Sequence, residues 1–379
     1  MGKKLSIGVS AVAHKGKKMS IGVNNVAHKA KKACIGDANG KARLFWSGGG
    51  LFIAPCAGRV LLTSEDGRNW TESETETSFT NPQYAKLVYG NGVYVLLLYT
   101  GGVYYSYDGL TWTLSKTFSG SSSTNRVINF CNNKFVVLSG TTAYTSTDGI
   151  TWTTVGTIVN SDYSSYAPMS YISSDTIVYG KYKGKNCYII ATYRCGSSHG
   201  YGLYISTDLI NWSCEYYDTN SSGTKYTTSL CSINNTVYWA KWTGTSGAIY
   251  KLSETDTTIT SIVGLGSVTY EMALSGWCWD NDNKVFVYGQ SLYGNAIGGY
   301  VLLDDGTNTS LSIGESGLAC CGGMFFKWTP KYTNSSSSSV SLYYAPNNGT
   351  SSINWTLFHT LSGSTNGIKN VCGIAYGDN

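Results

Sequence analysis

The segment TSTDGITWT (Thr145–Thr153) decides how this sequence folds, because slightly altered copies of it recur along the chain. The copies are TSEDGRNWT (Thr63–Thr71), YSYDGLTWT (Tyr105–Thr113) and ISTDLINWS (Ile205–Ser213). Each copy follows a short apolar run, and a second apolar run lies before the first one in the chain. The pattern therefore predicts successive strands that lead into one recurring kind of tight turn.

The fixed spacing of Ser, Asp, Gly and Trp in these copies fits a structural role in the turn. An Asp carboxylate can accept hydrogen bonds from the N–H groups that follow it, and Gly readily takes a positive φ. A Trp three residues after the Gly position can then pack back over the turn. We assign to this structural box, and not to catalysis, the residues Asp66, Gly67, Trp70, Asp108, Gly109, Trp112, Asp148, Gly149, Trp152, Asp208, Trp212 and Trp355.

Weaker copies of the box extend the series to seven units. In GAIYKLSETD the Asp position of the box is Asp256, in GGYVLLDDG it is Asp304, and in VSLYYAPNNG it is occupied by Asn347. Consecutive units are 40 to 60 residues apart, which leaves room for about four short strands in each. Such a period is typical of β-propellers, which have roughly 4–8 blades. The sequence therefore predicts an all-β, seven-bladed β-propeller of antiparallel four-stranded blades.

The sequence pattern predicts that the two ends of the propeller share one blade. The chain ends in NVCGIAYGDN (Asn370–Asn379), which reads as an opening strand without the rest of its unit. The first unit begins at GLFIAPC and lacks such a strand. We therefore expect Val371–Tyr376 to lie beside Leu51–Cys56, so that the C-terminal strand closes the ring. The competing segment, Lys41–Ser47, is assigned to the preceding arm.

The N-terminal region has a second, shorter repeat and a different charge. Three similar stretches begin at Lys3, Lys17 and Lys31, with a period of 14 residues. The first 43 residues hold ten Lys or Arg against one acid, whereas the remaining 336 carry a net charge of −4. A unit this small cannot bury its own apolar face and needs neighbouring chains or a larger surface. We predict a basic anchoring and oligomerisation arm at 1–48 and a propeller at 49–379.

Two resemblances follow from these motifs. The box S-x-D-G-x-x-W resembles the Asp-box, or BNR, repeats of sialidases and related β-propellers. The stretch SIGVNNVAHKAKKACIGDANGKARLF (Ser20–Phe45) resembles a short repeat that begins structural proteins of phages of Gram-positive bacteria. In the third copy, Asp37 stands where that pattern has Val, which weakens its assignment as an attachment strand.

The second resemblance implies a virion structural protein, in a tail fibre, a baseplate or a capsid-attached appendage. Residues 1–48 would join other virion proteins, as a homo-oligomer, and the propeller would bind a host-surface glycan or decorate the particle without any ligand. The alternative is a propeller glycoside hydrolase or sialidase-like enzyme that acts on polysaccharide.

The residues needed for the enzyme alternative are sparse. A sialidase-like site needs an arginine cluster, and the chain has only five arginines, at Arg43, Arg59, Arg68, Arg126 and Arg194. Other glycosidases need two nearby carboxylates. The pairs Asp304–Asp305 and Glu254–Asp256 could supply them, but exposed turn carboxylates are the simpler interpretation. We therefore expect no enzyme and no catalytic residue.

Aromatic residues in two segments of the sequence favour a ligand-binding function. The interval between the third and fourth boxes is the longest, and it is rich in Tyr, Ser and Gly, a composition that suits adaptable recognition. Two tryptophans also lie near acids in SGWCWDNDN (Ser275–Asn283). The candidate ligand-binding residues are Tyr163, Tyr166, Tyr193, His199, Tyr201, Trp277 and Trp279.

Other partners and cofactors are disfavoured. No apolar run approaches the ~20 residues that span a bilayer, and lysines interrupt any signal-peptide core. The arm lacks the aromatic interleaving expected of a nucleic-acid surface, and His14 and His28 read as polar repeat residues, so we expect no metal and no cofactor. The eleven cysteines, without a CxxC pair, read as buried free thiols. We expect a protein made in the host cytoplasm and located in the virion.

Overall fold

The structure is a computed structural model, and the part of the chain that it describes is made of β-strands and turns. It describes residues 20–23, 26–29, 32–36, 42–47, 50–80, 85–118, 126–160, 177–195, 198–217, 229–242, 246–267, 272–279, 284–291, 299–303, 308–311, 317–329, 339–346, 353–362 and 370–377. Side chains are described for 50–80, 85–118, 126–159, 177–192, 202–216, 230–240, 248–262, 317–329, 339–346, 353–362 and 370–377. Within these residues, no helix is long and apolar enough to cross a membrane.

The chain divides into two compact units, one that ends at Gly50 and one that spans Leu51–Gly377. The first unit contains two short hairpins. Strand β1 (Ser20–Val23) pairs with β2 (Val26–Lys29), and β3 (Lys32–Gly36) pairs with β4 (Ala42–Ser47). Each hairpin forms a two-stranded sheet of its own. The segment that ends at Ser47 thus pairs with the third copy of the 14-residue repeat.

The second unit contains six four-stranded sheets and one five-stranded sheet among its described residues. Sheet 1 is made of β5 (Leu51–Pro55), β6 (Gly58–Ser64) and β7 (Thr71–Phe79), with the last strand of the chain beside them. Sheet 2 is made of β8 (Lys86–Gly90), β9 (Val93–Leu97), β10 (Gly102–Ser106) and β11 (Thr113–Thr117). Sheet 3 is made of β12 (Arg126–Cys131), β13 (Lys134–Ser139), β14 (Thr142–Ser146) and β15 (Thr153–Thr157).

The remaining sheets follow in chain order. Sheet 4 is made of β16 (Val159–Asn160), β17 (Val178–Tyr182), β18 (Lys185–Cys195), β19 (Ser198–Ser206) and β20 (Asn211–Tyr217). Sheet 5 is made of β21 (Ser229–Ile233), β22 (Thr236–Trp242), β23 (Ser246–Leu252) and β24 (Ile259–Ser267). Sheet 6 is made of β25 (Met272–Trp279), β26 (Lys284–Ser291), β27 (Gly299–Leu303) and β28 (Asn308–Leu311). Sheet 7 is made of β29 (Gly317–Cys321), β30 (Met324–Thr329), β31 (Ser339–Pro346) and β32 (Thr356–Ser362).

Sheet 1 combines the two ends of the second unit. Its fourth strand, β33 (Ala375–Gly377), pairs antiparallel with β5, with Ala375 opposite Ile53. Just before β33, the N–H of Cys372 donates to the carbonyl of Pro55 at 2.8 Å, and the N–H of Ala57 donates to the carbonyl of Asn370 at 2.8 Å. The C-terminal segment therefore lies beside the first strand of the unit, as its sequence predicts.

The fifth strand of sheet 4 is a feature that the sequence analysis missed. Strand β16 follows the last strand of sheet 3 and pairs in parallel with β20, with Val159 opposite Asn211. The N–H of Val159 donates to the carbonyl of Ile210 at 2.8 Å. Because an unpaired outer strand exposes a row of backbone groups, β16 covers the start of this edge.

The apolar core consists of clusters that lie between neighbouring sheets. Leu96 and Trp112 of sheet 2, for example, pack with Ile53 of sheet 1. Another cluster joins the last and the first sheets, with Phe326 and Leu342 of sheet 7 packed against Phe52 and neighbouring residues of sheet 1. Sheets 1 to 4 are thus apolar on both faces, which explains why their inner strands are nearly continuous apolar runs.

Two-residue turns join β8 to β9, β12 to β13, β17 to β18, β21 to β22 and β29 to β30. They are Asn91–Gly92, Asn132–Asn133, Lys183–Gly184, Asn234–Asn235 and Gly322–Gly323, and all ten residues have a positive φ. Two consecutive positive φ values define the type I′ turn, whose twist matches that of the flanking strands. Asn and Gly tolerate this conformation best, which explains their choice here.

The free-thiol prediction is right for seven described cysteines and wrong for one. Cys56, Cys131, Cys187, Cys231, Cys320, Cys321 and Cys372 are free. Cys214, in contrast, is disulfide-bonded. Burial raises the pKa of Cys187 to about 11 and that of Cys131 to about 12, so both stay neutral at physiological pH.

Candidate functional site

The predicted boxes form tight turns that are held by their own side chains. In the first box, Asp66 Oδ1 accepts the N–H groups of Arg68 and Asn69, both at 2.8 Å. The hydroxyl of Ser64 donates to Asp66 Oδ1 at 3.0 Å and accepts the N–H of Gly67 at 2.9 Å. The same network surrounds Asp148 and Asp208, and Asp108 makes the same carboxylate contacts.

Hydrogen bonds lower the pKa values of three box carboxylates, those of Asp66, Asp148 and Asp208, and so keep them ionised. The N–H groups of Asn69 and Arg68 hold the pKa of Asp66 well below its ordinary value. For Asp208, partial burial alone would raise the pKa, but hydrogen bonds from Asn211 and Ile210 outweigh it and lower the pKa to about 2. A carboxylate that is ionised and already bonded to the turn is a poor general acid, so these residues are structural.

The box tryptophans link each turn to the preceding sheet. Trp70, Trp112 and Trp212 each donate Nε1–H to the carbonyl three residues earlier, at 3.0 to 3.2 Å. Trp152 instead donates to the hydroxyl of Ser115, at 3.1 Å, in the preceding sheet. At three positions the tryptophan therefore bonds back to its own turn, whereas Trp152 reaches the neighbouring sheet.

Trp355 and Leu209 depart from the usual box. The ammonium group of Lys327 lies 4.8 Å from the ring centroids of both Trp355 and Tyr343, a cation–π arrangement. Leu209 occupies the glycine position of the fourth box with a φ of 69°. Its side chain is 1% exposed and packs in the core between sheets 3 and 4, so burial offsets the cost of its backbone conformation.

The carboxylate pair considered for catalysis has structural partners. Glu254 Oε1 accepts the hydroxyl of Thr236 at 2.6 Å, and its backbone carbonyl accepts the N–H of Gly184. Asp256 Oδ1 accepts the N–H of Thr258 at 2.8 Å, which repeats the box turn. The other pair, Asp304–Asp305, lies outside the described residues.

The arginines with described side chains are spread over the sheets. Arg126 donates to the carbonyl of Tyr99 at 3.0 Å and to Ser139 Oγ at 3.1 Å. Arg59 donates to the carbonyl of Thr75 at 2.9 Å. Both guanidinium groups therefore bind backbone within the sheets or between neighbouring sheets. Within the described side chains, no group of three or more His, Cys, Asp or Glu is placed to hold a metal ion.

The predicted ligand-binding residues fall outside the described side chains. Tyr163 and Tyr166 lie outside the described residues altogether. The backbone of Tyr193 lies in β18, those of His199 and Tyr201 in β19, and those of Trp277 and Trp279 in β25. Their role in binding therefore stays a prediction.

The described residues enclose one large cavity that the sequence analysis missed. Its volume is about 910 Å³, within the range of ~300–1,000 Å³ of ligand pockets. Strands β8, β12, β17, β21 and β29 line it, together with Val371–Ile374, which precede β33. The repeated two-residue turns could have indicated these strands, because each turn marks where such a strand ends.

The chemistry of the cavity wall suits binding better than catalysis. Lys86 is the one charged residue among the described residues that line it. The lining thiols Cys131, Cys231 and Cys372 have pKa values that burial raises, so they are not thiolate nucleophiles. The other polar lining residues include Asn129, Ser232 and two asparagine pairs at the turns.

Comparison with known proteins gives the fold and nothing finer. No family model matches the sequence, and no curated protein does. Among solved structures, the chain is similar to a protein from Lactobacillus plantarum, with 14% identity and a TM-score of 0.55, over 85% of this chain and 99% of that one. It is also similar to a candidate 6-phosphogluconolactonase from Bacteroides uniformis ATCC 8492, with 10% identity and a TM-score of 0.51, over 86% and 99% of the two chains. At these identities the likeness concerns the fold alone, and the chain is an all-β protein of propeller type, built from antiparallel four-stranded sheets.

Proposed function

We propose that this chain is a structural protein of a phage virion, part of a tail fibre, a baseplate or a capsid-attached appendage. Residues 1–48 attach it, as a homo-oligomer, to other virion proteins, and the second unit displays a surface that binds a bacterial glycan. One observation carries the proposal: the basic 14-residue repeat belongs to a compact unit of its own, which ends at Gly50.

The repeat unit has the properties of an attachment segment. Its described strands form two-stranded sheets, which are marginal on their own in water. Association with a partner supplies the neighbouring strands or apolar surface that such hairpins lack. The charge of +9 on the first 43 residues favours acidic partner surfaces.

The displayed head is, in this proposal, a closed ring in which each of the seven sheets is one blade. Pairing between β33 and β5 supports closure, because it joins the two ends of the unit in sheet 1. The core cluster shared by sheets 7 and 1 supports it as well. A ring closed in this way has no terminal blade whose apolar face is exposed.

Binding is preferred to hydrolysis because the described carboxylates of the boxes and of the Glu254–Asp256 pair are engaged. The box aspartates, Glu254 and Asp256 all accept hydrogen bonds from turn or sheet groups. A glycosidase needs two carboxyl groups about 5–9.5 Å apart that face the substrate. The described lining of the cavity holds no carboxylate.

The test is quantitative mass spectrometry of density-purified, nuclease-treated particles from the source. Particles that carry the full chain are compared with particles made with a chain that lacks residues 1–48. The proposal expects the full chain on the particles and the truncated chain in the soluble fraction. A full chain that is absent from particles, or a truncated chain that remains on them, contradicts it. Turnover of fluorogenic glycosides by the purified chain would instead favour the hydrolase.

A further inference from the structure

We propose that β7, the outermost strand of sheet 1, is a docking edge for the basic 14-residue repeat of a second copy of this chain. The inference rests on the proposed role of residues 1–48 in oligomerisation, and it names the surface that the repeat binds. The docked repeat adds a strand beside β7, and its lysines lie against the glutamates of that strand.

The outer edge of β7 is open to pairing. β7 is the last strand in the order β33-β5-β6-β7, and none of its backbone groups bonds to a backbone group outside sheet 1 in the described part of the chain. With nine residues, the strand is about 30 Å long. A long outer strand with unpaired N–H and carbonyl groups is a template for a strand from another chain.

The charge of β7 distinguishes it from the other outermost strands. Glu72, Glu74 and Glu76 lie on it, and all three are exposed. None of the strands β11, β15, β20, β24, β28 and β32 carries more than one Asp, Glu, Lys or Arg. A general need to protect strand edges from aggregation therefore does not explain three glutamates on this one strand.

The net acidic charge that follows the arm is concentrated at β7. Residues 44–379 hold 17 basic and 21 acidic side chains, and the segment 63–79, which is the first box with β7, holds five of these acids and one arginine. Outside that segment, 16 basic and 16 acidic side chains remain and cancel. The whole net charge of −4 therefore lies at this strand and its turn, whereas the first 43 residues carry +9.

The outermost strands of both neighbouring sheets carry exposed leucines. Leu114 on β11 of sheet 2 is 51% exposed, and Leu357 on β32 of sheet 7 is 53% exposed. Sheets 2 and 7 are the two sheets that share core clusters with sheet 1. Acidic and apolar side chains at this perimeter match the repeat, in which lysine pairs alternate with short apolar strands such as Ser20–Val23.

Two of the three glutamates are left for lysines of another chain. Glu72 Oε2 lies 3.0 Å from Nε2 of His359 in sheet 7, so that carboxylate already has a partner. The carboxylates of Glu74 and Glu76 make no ion pair or hydrogen bond within the part of the chain that the structure describes. Opposite charges on neighbouring strands stabilise their pairing. Because every copy brings one acidic edge and one basic repeat, a second copy supplies the complementary charge in equal number.

The first test is sedimentation equilibrium of the purified full chain at low and at high salt. The wild type is expected to associate reversibly at low salt and more weakly at high salt, because salt screens exposed charges. The variant Glu74→Gln/Glu76→Gln is expected to associate about tenfold more weakly, at an unchanged melting temperature. The control Thr154→Lys/Thr157→Lys makes the same change in net charge at exposed positions of β15, and it should associate like the wild type.

Charge reversal then tests whether the occupant is a second copy. The edge variant Glu74→Lys/Glu76→Lys and the repeat variant Lys17→Glu/Lys18→Glu/Lys32→Glu should each associate weakly alone. An equimolar mixture should associate again, because the basic repeat of one variant meets the acidic edge of the other only through the second arm–edge contact of matched charge.

Three outcomes overturn the inference. They are a wild type that stays monomeric at low salt, a Gln variant that associates like the wild type, and a mixture of the reversed variants that stays dissociated. The last two leave oligomerisation intact and move the contact elsewhere. The first also removes the homo-oligomer from the proposed function, while attachment to particles is decided separately by the mass spectrometry.

Discussion

The indole ring of Trp70 stacks on the phenyl ring of Phe358, with ring centroids 4.8 Å apart and planes inclined by 16°. Trp70 follows the box turn of sheet 1, and Phe358 lies in the outermost strand of sheet 7. The box tryptophans of sheets 2 and 3 contact Phe79 and Phe118 of the preceding sheets edge to face, with ring planes inclined by 88° and 85°. In these three sheets the box therefore attaches one sheet to its neighbour, and its aspartates and tryptophans are not free for chemistry.

The glycine of the second box is predicted to be needed for close approach between sheets. Gly109→Ala places a Cβ 2.6 Å from Cγ2 of Ile53, in addition to the strain of a φ of +74°. Gly58→Ala is the matched control, with a φ of +72° and nothing within 4 Å of the added Cβ. Backbone strain costs both variants about 1–2 kcal/mol, so urea unfolding should show a larger loss for Gly109→Ala. Equal losses would show that the contact with Ile53 is unimportant.

Trp212 is predicted to stabilise the contact between sheets 3 and 4 mainly by its bulk. The side chain is fully buried in that core, and its Nε1–H donates to the carbonyl of Leu209 at 3.0 Å. We expect Trp212→Ala to lower the free energy of unfolding by about 3–5 kcal/mol. Trp212→Phe, which loses the hydrogen bond and part of the volume, should lose less. Chemical denaturation measures both, and a Phe variant as unstable as the Ala variant would assign the effect to the hydrogen bond.

Acid is predicted to remove the stabilisation that Asp208 provides. Its pKa is lowered to about 2 in the folded protein, whereas an Asp in an unfolded chain has a pKa of about 3.9. A lowered pKa stabilises the folded state above the unfolded value, and this contribution disappears as the pH falls from about 4 to about 2. The difference in stability between the wild type and Asp208→Asn, followed by thermal unfolding, should therefore shrink across that window. A difference that stays constant with pH contradicts the assignment.

Buried thiols are predicted to resist alkylation in the folded protein. Burial raises the pKa values of Cys56 and Cys187, and Cys372 is buried as well. Iodoacetamide at neutral pH reacts with thiolates, so peptide mapping should find these three residues unmodified before unfolding and modified after it. Rapid modification in the native protein would show that the sheets open readily around them.

Much of the sheet arrangement was predictable, because the box repeats in sequence with its strands. The place of the C-terminal strand beside Leu51–Pro55 could be predicted for two reasons. The first unit of the sequence pattern lacks an opening strand, and the chain ends in an opening strand that belongs to no other unit. The parallel strand β16 could not be predicted, since Val159–Asn160 is too short to leave a periodic pattern. The free-thiol interpretation failed at Cys214 for a related reason, because disulfide pairing depends on tertiary proximity that spacing does not reveal.

The turn asparagines that line the cavity were the least predictable part of the candidate site. Asn133, Asn234 and Asn235 lie in type I′ turns, where asparagine is expected for conformational reasons alone. Only the hydrogen bonds of Asn91 and Asn132 show that these two asparagines also attach one sheet to the next, and the sequence does not reveal those bonds. The aromatic residues were easier to propose as ligand-binding residues. Segments rich in Tyr or Trp stand out in a sequence whether or not they contact a ligand.

The measurement that tests the closed ring most directly is amide hydrogen exchange of the full chain, resolved to single residues at the junction of its two ends. The N–H groups of Ala57 and Cys372 each donate across the junction, at 2.8 Å. If the C-terminal strand closes the ring, these amides should be as strongly protected as the one that Leu98 donates to the carbonyl of Gly102 within sheet 2. Exchange of both amides at nearly the rate of an unfolded chain, with Leu98 still protected, would contradict closure.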